Sequence, residues 1–421
     1  MKKILIVLVC IMLVLSGCTP SKSTYATTAP VMLYPTTEAV TELVTEPVTE
    51  PVTEPVTEPT EPPLDFSQLN HDEIYAEIER ISQKYNAMGV QVAIVEHGKI
   101  VGSYSYGWAT YKKEPMTAYH KMRVASLSKF AVAVGAMLMY DEGLVDLYGS
   151  IGDVWGVTAK NPNFPDHPIN IWNILSHTSS IASLDDSEAS TYHYVKNRLS
   201  FSYYAVEPGV MKSRCYNNYA FRVLGCTLEL AADQTLDSYL DEKLYHPMGS
   251  DVAFAPGDLD DTSLICTLYD GRMVIRNIAV QQSYHGPKNP GENGAYFAGG
   301  LTTNAEDLAK IVGMVANDGV YEGQRYLSEE AVELMEVLMD EPMGNNLYQA
   351  HNLLHQPNLY GREQLYFHTG RACGVFTCLS YDAATGDGIV VLTNGASGYM
   401  TDIEIPRICE EINAYLYDLM K

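Results

Sequence analysis

Four consecutive Val-Thr-Glu-Pro repeats occupy residues 44–59, and they limit what the N-terminal part of this chain can fold into. A proline at every fourth position excludes a helix, and the evenly spaced glutamates repel one another. A segment of this kind cannot bury enough apolar surface to form a core. We therefore predict that residues 19–64 form an extended, solvated Thr/Glu/Pro-rich stalk. We interpret the stalk as a spacer, and the alternative is a specific ligand for a wall component or a partner.

Residues 1–18 have the pattern of a secretory signal peptide. Two lysines precede an apolar run at residues 4–15, which is too short to span ~30 Å of hydrocarbon as a helix. The run leads into Leu-Ser-Gly-Cys, which ends at Cys18 and resembles the lipobox of bacterial lipoproteins. This resemblance implies acylation of Cys18 and an extracytoplasmic protein that only its lipid holds on the cell membrane. An ordinary signal peptide and an uncleaved anchor are the alternatives.

The charge balance excludes one large class of partners. The 421 residues include 27 basic and 52 acidic side chains, for a formal net charge of −25. Because affinity for nucleic acid depends on Lys and Arg, no nucleic-acid partner is predicted. Only three of the basic and seven of the acidic residues lie in residues 1–64, so the acidity belongs to the rest of the chain. A substrate that carries a carboxylate would meet general repulsion there and would need a local cation.

Six cysteines remain once Cys10 of the signal and Cys18 are set aside. An even number in an exported protein permits disulfides, whereas free thiols fit a reducing habitat. No Cys-x-x-Cys pair is present, which disfavours a structural zinc site, and we predict neither a metal nor a cofactor. The disulfide connectivity of the six cysteines stays open. They are Cys215, Cys226, Cys266, Cys373, Cys378 and Cys409.

Residues 65–421 have the pattern of one folded α+β domain with two lobes. Apolar residues spaced by three and four predict a helix that ends before Gly89, and a hairpin follows with its turn at His97-Gly98. A second hairpin surrounds the turn at 385–388, and an amphipathic helix covers about 406–420. Antiparallel strands at both ends, with helical segments between them, predict one sheet that unites the termini.

Ser126 and Lys129 are the first candidates for chemistry. They lie at the start of an apolar helix that Glu142-Gly143 closes. Ser126 is expected in the first turn, where free N–H groups and the helix dipole favour developing negative charge. Lys129 lies three residues later, on the same face. A lysine that burial keeps unprotonated can accept the serine proton, although Ser-x-x-Lys alone is common by chance.

Two further motifs follow the serine and the lysine in order. Tyr216-Asn217-Asn218 lies on a loop that enters a helix, and His368-Thr369-Gly370 begins a segment that runs into the second hairpin. Together the three motifs resemble those of the serine β-lactamase and penicillin-binding protein family, in its class C β-lactamase, D,D-carboxypeptidase and esterase branch (peptidase family S12). The segments 175–179 and 298–301 match the same family. The resemblance implies a β-lactamase/transpeptidase-like fold, in which helices flank an antiparallel sheet and a second lobe is mainly helical.

The same resemblance implies a role for each motif residue. Ser126 is the nucleophile and Lys129 its proton acceptor, while Tyr216 passes a proton to the leaving group and later activates the hydrolytic water. The oxyanion hole consists of two backbone N–H groups, those of Ser126 and Arg371. The residues implied to bind substrate are Asn218, His368, Thr369, Gly370 and Arg371.

Several positions depart from the family pattern. Asn217 stands where Ser or Ala is usual, and Ser180 stands where glycine is usual. His368 replaces the lysine of true β-lactamases, and an imidazole gives a less assured positive charge for a carboxylate. This replacement favours a peptidase or an esterase. Arg371 also departs from the pattern, and its side chain is a further candidate for carboxylate binding.

The leading hypothesis is a surface-tethered serine hydrolase that acts through an acyl-enzyme, without metal or cofactor. Its predicted substrates are cell-wall-like D-amino-acid peptides, as for a D,D-carboxypeptidase, and peptidoglycan is a predicted partner. An esterase or a class C-type β-lactamase with the same site is the alternative, so the substrate is a small peptide, an ester or a β-lactam. A non-catalytic penicillin- or peptidoglycan-binding module is a different class. Four intact motif residues argue against it, namely Ser126, Lys129, Tyr216 and Asn218. No Gly-x-Ser-x-Gly elbow, His-Glu-x-x-His, phosphate loop or dinucleotide fingerprint is present.

Overall fold

The computed structural model describes residues 66–184, 190–372 and 374–421. The predicted signal peptide, the lipobox cysteine, the stalk and Cys373 lie outside these ranges. Within the described ranges, no helix is both long and apolar enough to cross a membrane.

An antiparallel sheet brings the two ends of the described chain together, as the sequence predicts. Strand β1 (Gly89–Glu96) pairs with β2 (Lys99–Thr110) on one side and with β14 (Asp387–Asn394) on the other. His97 and Gly98 both have positive φ values, 49° and 75°, which suit the tight turn between β1 and β2.

The remaining strands follow in chain order. They are β3 (Glu114–Pro115), β4 (Met122–Arg123), β5 (Leu268–Asp270), β6 (Met273–Arg276), β7 (Thr302–Thr303), β8 (Val320–Tyr321), β9 (Gln324–Arg325), β10 (Tyr348–Gln349), β11 (Leu354–His355), β12 (Leu365–Ala372) and β13 (Val375–Asp382). The order across the eight-stranded sheet that contains β1, β2 and β14 is β10-β11-β12-β13-β14-β1-β2-β3.

The helices complete the set of elements. They are α1 (His71–Lys84), α2 (Ser128–Asp141), α3 (Ile151–Trp155), α4 (Ile171–Leu175), α5 (Tyr192–Arg198), α6 (Asn218–Ala232), α7 (Leu236–Leu240), α8 (Ile278–Gln282), α9 (Ala305–Ala316), α10 (Glu329–Glu336) and α11 (Arg407–Leu419).

Both faces of the sheet are covered by helices. Side chains alternate along a strand, so Val92 and Ile94 of β1 join the apolar cluster of α1 and α11, while Ala93 and Val95 join the cluster of α9. Strands β13 and β14 are buried along their whole length because they lie between these two layers. The architecture is therefore α+β, with an antiparallel sheet flanked by helices.

Helix α2 is the centre of the mainly helical lobe. Every residue from Ser128 to Met139 is buried, which is typical of a helix that is apolar on all sides. It packs against α6, which in turn contacts α3, α4 and α7. The helix begins at Ser128 and follows a 3-10 turn at Ala125–Leu127, so the prediction that Ser126 lies in the first turn of the helix is wrong. Ser126 therefore lies in the turn before the helix, and Lys129 lies in the first helical turn.

The cysteines of the described residues form no disulfide with one another. Four of them are buried and Cys215 is half-buried. The four buried cysteines are Cys226, Cys266, Cys378 and Cys409.

Candidate active site

A strained and firmly held turn carries Ser126. Ala125, immediately before it, has a φ of 52°, in the left-handed region that costs a non-glycine residue about 1–3 kcal/mol. The hydroxyl of buried Ser128 holds this turn, since it donates to the Ala125 carbonyl at 2.6 Å and accepts from the Leu301 N–H at 2.9 Å. Ser126 itself is half-buried, so its hydroxyl is open to a substrate. Strain of this kind is common at catalytic positions.

Lys129 lies against the hydroxyl of Ser126 with no exposed surface. Its Nζ is 3.2 Å from Ser126 Oγ and 2.7 Å from the carbonyl oxygen of Ala298. Burial, and to a smaller extent the charge of Arg222, hold the pKa of Lys129 well below its ordinary value. A neutral amine donates to the Ala298 carbonyl and keeps its lone pair for the Ser126 proton. Lys129 is therefore suited to act as the base.

Tyr216 approaches Ser126 from a different element, the loop before α6. It hydrogen-bonds to Ser126, and its ring centre lies 4.9 Å from the Nζ of Lys129. Loss of solvent raises the pKa of Tyr216 above its ordinary value, and the hydrogen bond from Ser126 opposes that rise. The side chain is still 39% exposed, so solvent weakens the shift. Tyr216 thus keeps its proton at neutral pH and can donate it.

The buried imidazole of His177 packs against the loop that carries Tyr216. Its ring centre is 4.5 Å from that of Tyr216, its Nδ1 accepts from the Asn217 N–H at 3.2 Å, and its carbonyl accepts from the Cys215 N–H at 2.9 Å. Burial, followed by the nearby charge of Arg214, lowers the pKa of His177 well below its ordinary value. The imidazole is therefore neutral and serves as a support.

Two of the departures from the family pattern have structural reasons. Asn217 is the N-cap of α6: its Oδ1 accepts from the Ala220 N–H at 3.0 Å, and its Nδ2 donates to the Ile181 carbonyl at 2.6 Å. Ser180 has a φ of 58°, in the region that glycine adopts without strain, which explains why glycine is usual there. Asn218 follows the cap as the first residue of α6 and is half-buried.

His368 lies on β12 and is only 6% exposed. Its Nδ1 is 2.9 Å from the Thr369 carbonyl oxygen, so that nitrogen carries the hydrogen and donates it. Burial lowers the pKa of His368 to about 3. The imidazole is neutral at physiological pH, and it offers no positive charge to a substrate carboxylate.

Gly370 lets β12 lie directly against the turn that carries Ser126. Strand β11 pairs only with residues 366 and 367 of β12, so the edge from 368 to 372 has no partner on the β11 side. A Cβ at position 370 would lie 2.5 Å from the Val124 carbonyl oxygen and 2.2 Å from Thr377 Oγ1, so only glycine fits. The same point is 3.2 Å from the Ser126 nitrogen. Strand β12 therefore lies close to the turn that carries Ser126. An oxyanion hole formed by the backbone N–H groups of Ser126 and Arg371 requires this proximity.

Thr369 and Arg371 flank that glycine on the same strand. Thr369 is half-buried, whereas Arg371 is exposed near the end of β12. The three sequence motifs thus meet: Ser126 and Lys129 contact each other, Tyr216 contacts Ser126, and the His-Thr-Gly strand runs beside the Ser126 turn.

Some residues of the site are not predicted by the sequence motifs. The carbonyl of Ala298 binds the lysine, and Ser128 holds the serine turn. Segment 298–301 matched the family pattern, which was the available signal for Ala298. Arg214 and Arg222, whose charges act on the site, gave no signal at all.

The site combines a serine hydroxyl, a neutral and buried amine, a tyrosine and a strand edge close to the serine. This combination suits acyl transfer through a covalent intermediate. These features define a serine hydrolase. The family model for beta-lactamase matches residues 74–408, and the chain belongs to that family. The fold is accordingly β-lactamase/transpeptidase-like.

Known proteins agree with this assignment. An N-acetylmuramyl-L-alanine amidase from Bacillus subtilis is 23% identical over 347 residues, which cover 73% of this chain and 77% of that protein. An octameric penicillin-binding protein homologue from Pyrococcus abyssi superposes with a TM-score of 0.65 and 20% identity, and the match covers 84% of this chain and 78% of that one. A D-alanine carboxypeptidase from Burkholderia cenocepacia superposes with a TM-score of 0.60 and 18% identity, with coverage of 83% and 99%. At these identities the two solved structures show the fold alone.

Proposed function

We propose that this protein is a lipid-anchored, extracytoplasmic serine hydrolase that acts on cell-wall-like D-amino-acid peptides, as a D,D-carboxypeptidase does. The observation that carries the proposal is the position of Ser126, which contacts both the neutral amine of Lys129 and the hydroxyl of Tyr216. A base on one side and a proton donor on the other are what cleavage of an amide requires.

In the acylation step, Lys129 takes the proton of Ser126 while Oγ bonds to the substrate carbonyl carbon. The C–N bond then breaks, and Tyr216 gives its proton to the leaving amine. In the deacylation step, the Tyr216 phenolate takes a proton from water as the water oxygen attacks the acyl carbon. Lys129 returns its proton to Ser126 Oγ when the ester bond breaks, so both groups regain their starting states.

The negative oxygen of both tetrahedral intermediates would accept from the backbone N–H groups of Ser126 and Arg371. Donors of this kind each stabilise the transition state by about 3 kcal/mol. Asn218, at the start of α6, would hold the substrate's amide or carbonyl oxygen, and Thr369 would bind its far end. These assignments come from the family pattern and from the approach of β12 to the Ser126 turn.

The substrate class is supported by relatives. One relative bears the name of an amidase of muramyl-L-alanine, and one structural neighbour is titled a D-alanine carboxypeptidase. The neutral state of His368 favours a second candidate, an esterase, because an ester without a carboxylate needs no cation on β12.

Two assays test the proposal. In the first, the wild type and Ser126→Ala are incubated with a fluorescent penicillin, with Ser128→Ala as the matched control. Labelling should require Ser126 and survive the loss of Ser128. In the second assay, D-alanine release from an acylated peptide ending in D-Ala-D-Ala is measured beside hydrolysis of an uncharged ester. Ester turnover without D-alanine release identifies an esterase, and stable labelling without any turnover identifies a binding module.

The membrane attachment has its own test. We propose that Cys18 carries the lipid and that residues 19–64 are the spacer, which at about 3.1 Å per residue would reach over ~100 Å when fully extended. In cells, the wild type should fractionate with membranes and Cys18→Ala should be lost from them. Equal membrane association of both forms would contradict the lipid anchor.

A further inference from the structure

We propose that Thr377 is a positioning residue of the active site, whose hydroxyl sets the distance between strand β12 and the turn that carries Ser126. The inference rests on the proposed function, because it concerns the two backbone N–H groups that would bind the negative oxygen of an acyl-transfer intermediate. The N–H of Ser126 belongs to the turn, and the N–H of Arg371 belongs to β12. The distance between turn and strand therefore decides whether both groups reach the same oxygen atom.

Thr377 lies on the face of β13 that is turned toward the Ser126 turn. Val375 and Leu379, two residues before and after it, belong to the same apolar cluster as Val124 and Leu127. Because residues two apart on a strand share a face, Thr377 points into that cluster as well. Its side chain is fully buried, and a buried hydroxyl is costly unless it finds a hydrogen-bond partner there.

That partner is the carbonyl oxygen of Val124, to which Thr377 Oγ1 donates at 2.9 Å. The same carbonyl accepts from the Leu127 N–H at 3.3 Å, and this second bond closes the 3-10 turn around Ser126. A carbonyl oxygen has two lone pairs and can accept both. The threonine hydroxyl thus holds the turn at the atom on which the turn's own hydrogen bond depends.

The sheet fixes the other end of this contact. Thr377 is paired with Gly370 of β12 on one side and with Leu392 of β14 on the other. A Cβ at position 370 would lie only 2.2 Å from Thr377 Oγ1, so the hydroxyl lies directly against the backbone of Gly370. Gly370 immediately precedes Arg371. The hydroxyl therefore touches the strand and the turn at once, beside both proposed N–H donors.

The strained residue Ala125 makes this contact important for Ser126. It is the only residue between the anchored Val124 carbonyl and the Ser126 N–H, and its φ of 52° persists only if the surrounding structure enforces it. A movement of the Val124 carbonyl therefore reaches the Ser126 N–H through a single residue. The Ser126 nitrogen lies 3.2 Å from the point that a Cβ of Gly370 would occupy, so little space separates turn and strand.

The first test is Thr377→Val, which replaces the hydroxyl by a methyl group. A carbon atom approaches a carbonyl oxygen to about 3.3–3.6 Å, so the methyl group should push the turn about 0.5 Å away from β12. With an uncharged aryl ester, kcat should fall by about 10- to 100-fold. KM should stay within about threefold, because the oxyanion hole binds a charge that forms only in the transition state. Thr377→Ser keeps the hydroxyl, and its kcat should lie within about threefold of the wild type.

An arylboronic acid supplies a second measurement. Ser126 Oγ donates an electron pair to boron and loses its proton to Lys129, so the adduct is a tetrahedral anion with an oxygen in the oxyanion hole. Because this adduct resembles the transition state, its Ki should rise in Thr377→Val by about the same factor as kcat/KM falls. A change that only softened the fold would not produce this proportionality.

Thr393→Val is the matched control. Thr393 is a fully buried threonine of the neighbouring strand β14, and its Oγ1 donates to the Phe376 carbonyl at 2.7 Å. The substitution removes the same kind of hydrogen bond from the same sheet without touching the Ser126 turn. It should lower the melting temperature about as much as Thr377→Val does, while kcat and the boronic acid Ki stay within about threefold.

Three results would overturn the inference. They are a Thr377→Val enzyme with wild-type kcat and Ki, an equal loss in Thr393→Val, and a Thr377→Ser enzyme as slow as the valine variant. If the valine variant does not fold, Thr377→Ala is judged by the same criteria, since it removes the hydroxyl without adding a methyl group against the carbonyl. Failure of the proposed substrate class is a separate outcome: ester turnover without D-alanine release leaves every comparison above valid. A wild type that neither cleaves the ester nor binds the boronic acid contradicts both proposals.

Discussion

The amine of Lys129 lies 3.2 Å from the hydroxyl of Ser126 and has no exposed surface. A charged ammonium in this position would lack the solvent that stabilises it, so the folded state favours the neutral amine. The burial that suits Lys129 to the role of a base therefore also lowers the stability of the folded protein. This relationship leads directly to the first prediction.

Lys129→Met should remove activity and yet stabilise the protein at neutral pH. In the wild type the pKa of Lys129 is lower folded than unfolded, so unfolding takes up a proton at any pH between the two values. Wild-type stability should therefore rise as pH rises toward about 10.5, the unfolded value. The advantage of the methionine variant should be largest at low pH and shrink on the way to pH 10. The variant also loses the hydrogen bond from Lys129 to the Ala298 carbonyl. This loss offsets about 1–3 kcal/mol of the gain in stability.

Urea denaturation of both proteins between pH 6 and pH 10 measures this difference. Parallel curves for the two proteins would mean that the lysine is charged in the folded state and cannot be the base.

Alanine substitutions of Ser126 and of Ser128 should have opposite effects: the first should remove activity and the second should lower stability. Ser126→Ala removes a half-buried hydroxyl and should abolish acylation, while it changes the free energy of unfolding by less than about 0.5 kcal/mol. Ser128→Ala leaves the buried Leu301 N–H without its acceptor and should cost about 1–3 kcal/mol, with acylation retained within about tenfold. Thermal melts and ester hydrolysis on the same samples check both halves. The assignment fails if the two variants show the same pattern.

Gly370→Ala should impair the reaction more than it impairs the fold. The new methyl group would press on the Val124 carbonyl and on Thr377 Oγ1, so β12 must move away from the Ser126 turn. A displacement of about 1 Å at a reacting centre can cost on the order of 100-fold in rate. We expect a fall in kcat of at least that size at saturating ester, measured in parallel with the melting temperature. Near-normal kcat would show that the approach of β12 is not needed for the chemistry.

His368 should make the protein less stable in acid. Its pKa is about 3 in the folded state, against about 6.5 for a free imidazole, so unfolding takes up a proton below pH 6.5. The contribution of His368 to the free energy of unfolding is complete above pH 6.5. It falls by about 1.4 kcal/mol per pH unit down to about pH 3. His368→Gln should remove this slope, so the wild-type and variant curves from urea denaturation converge or cross as pH falls. A difference between them that is independent of pH would contradict a neutral His368.

The sequence predicted those parts of the protein that local patterns encode. The hairpin at His97-Gly98, the strands that unite the termini and the order of the motifs are short-range signals, and the sheet confirmed the fold that they implied. The prediction that Ser126 lies in the first turn of α2 is wrong, because the 3-10 turn at Ala125–Leu127 has no distinctive local composition.

Other parts of the site depend on contacts between distant segments. Lys129 bonds to a carbonyl 169 residues away, and Arg214 bonds to a side chain 135 residues away. A backbone carbonyl leaves no trace in residue type, and an arginine on a loop resembles any solvated charge. The neutral state of His368 likewise follows from burial, which the His-Thr-Gly motif alone does not specify.

The central claim is a covalent acyl-enzyme on Ser126, and peptide mapping by mass spectrometry tests it most directly. The wild type is quenched during reaction with a slowly hydrolysed penicillin, and the digest is searched for the added mass. The account predicts the adduct on the peptide that contains Ser126, its absence in Ser126→Ala and its presence in Ser128→Ala. An adduct on any other residue, or one that persists in Ser126→Ala, would contradict it.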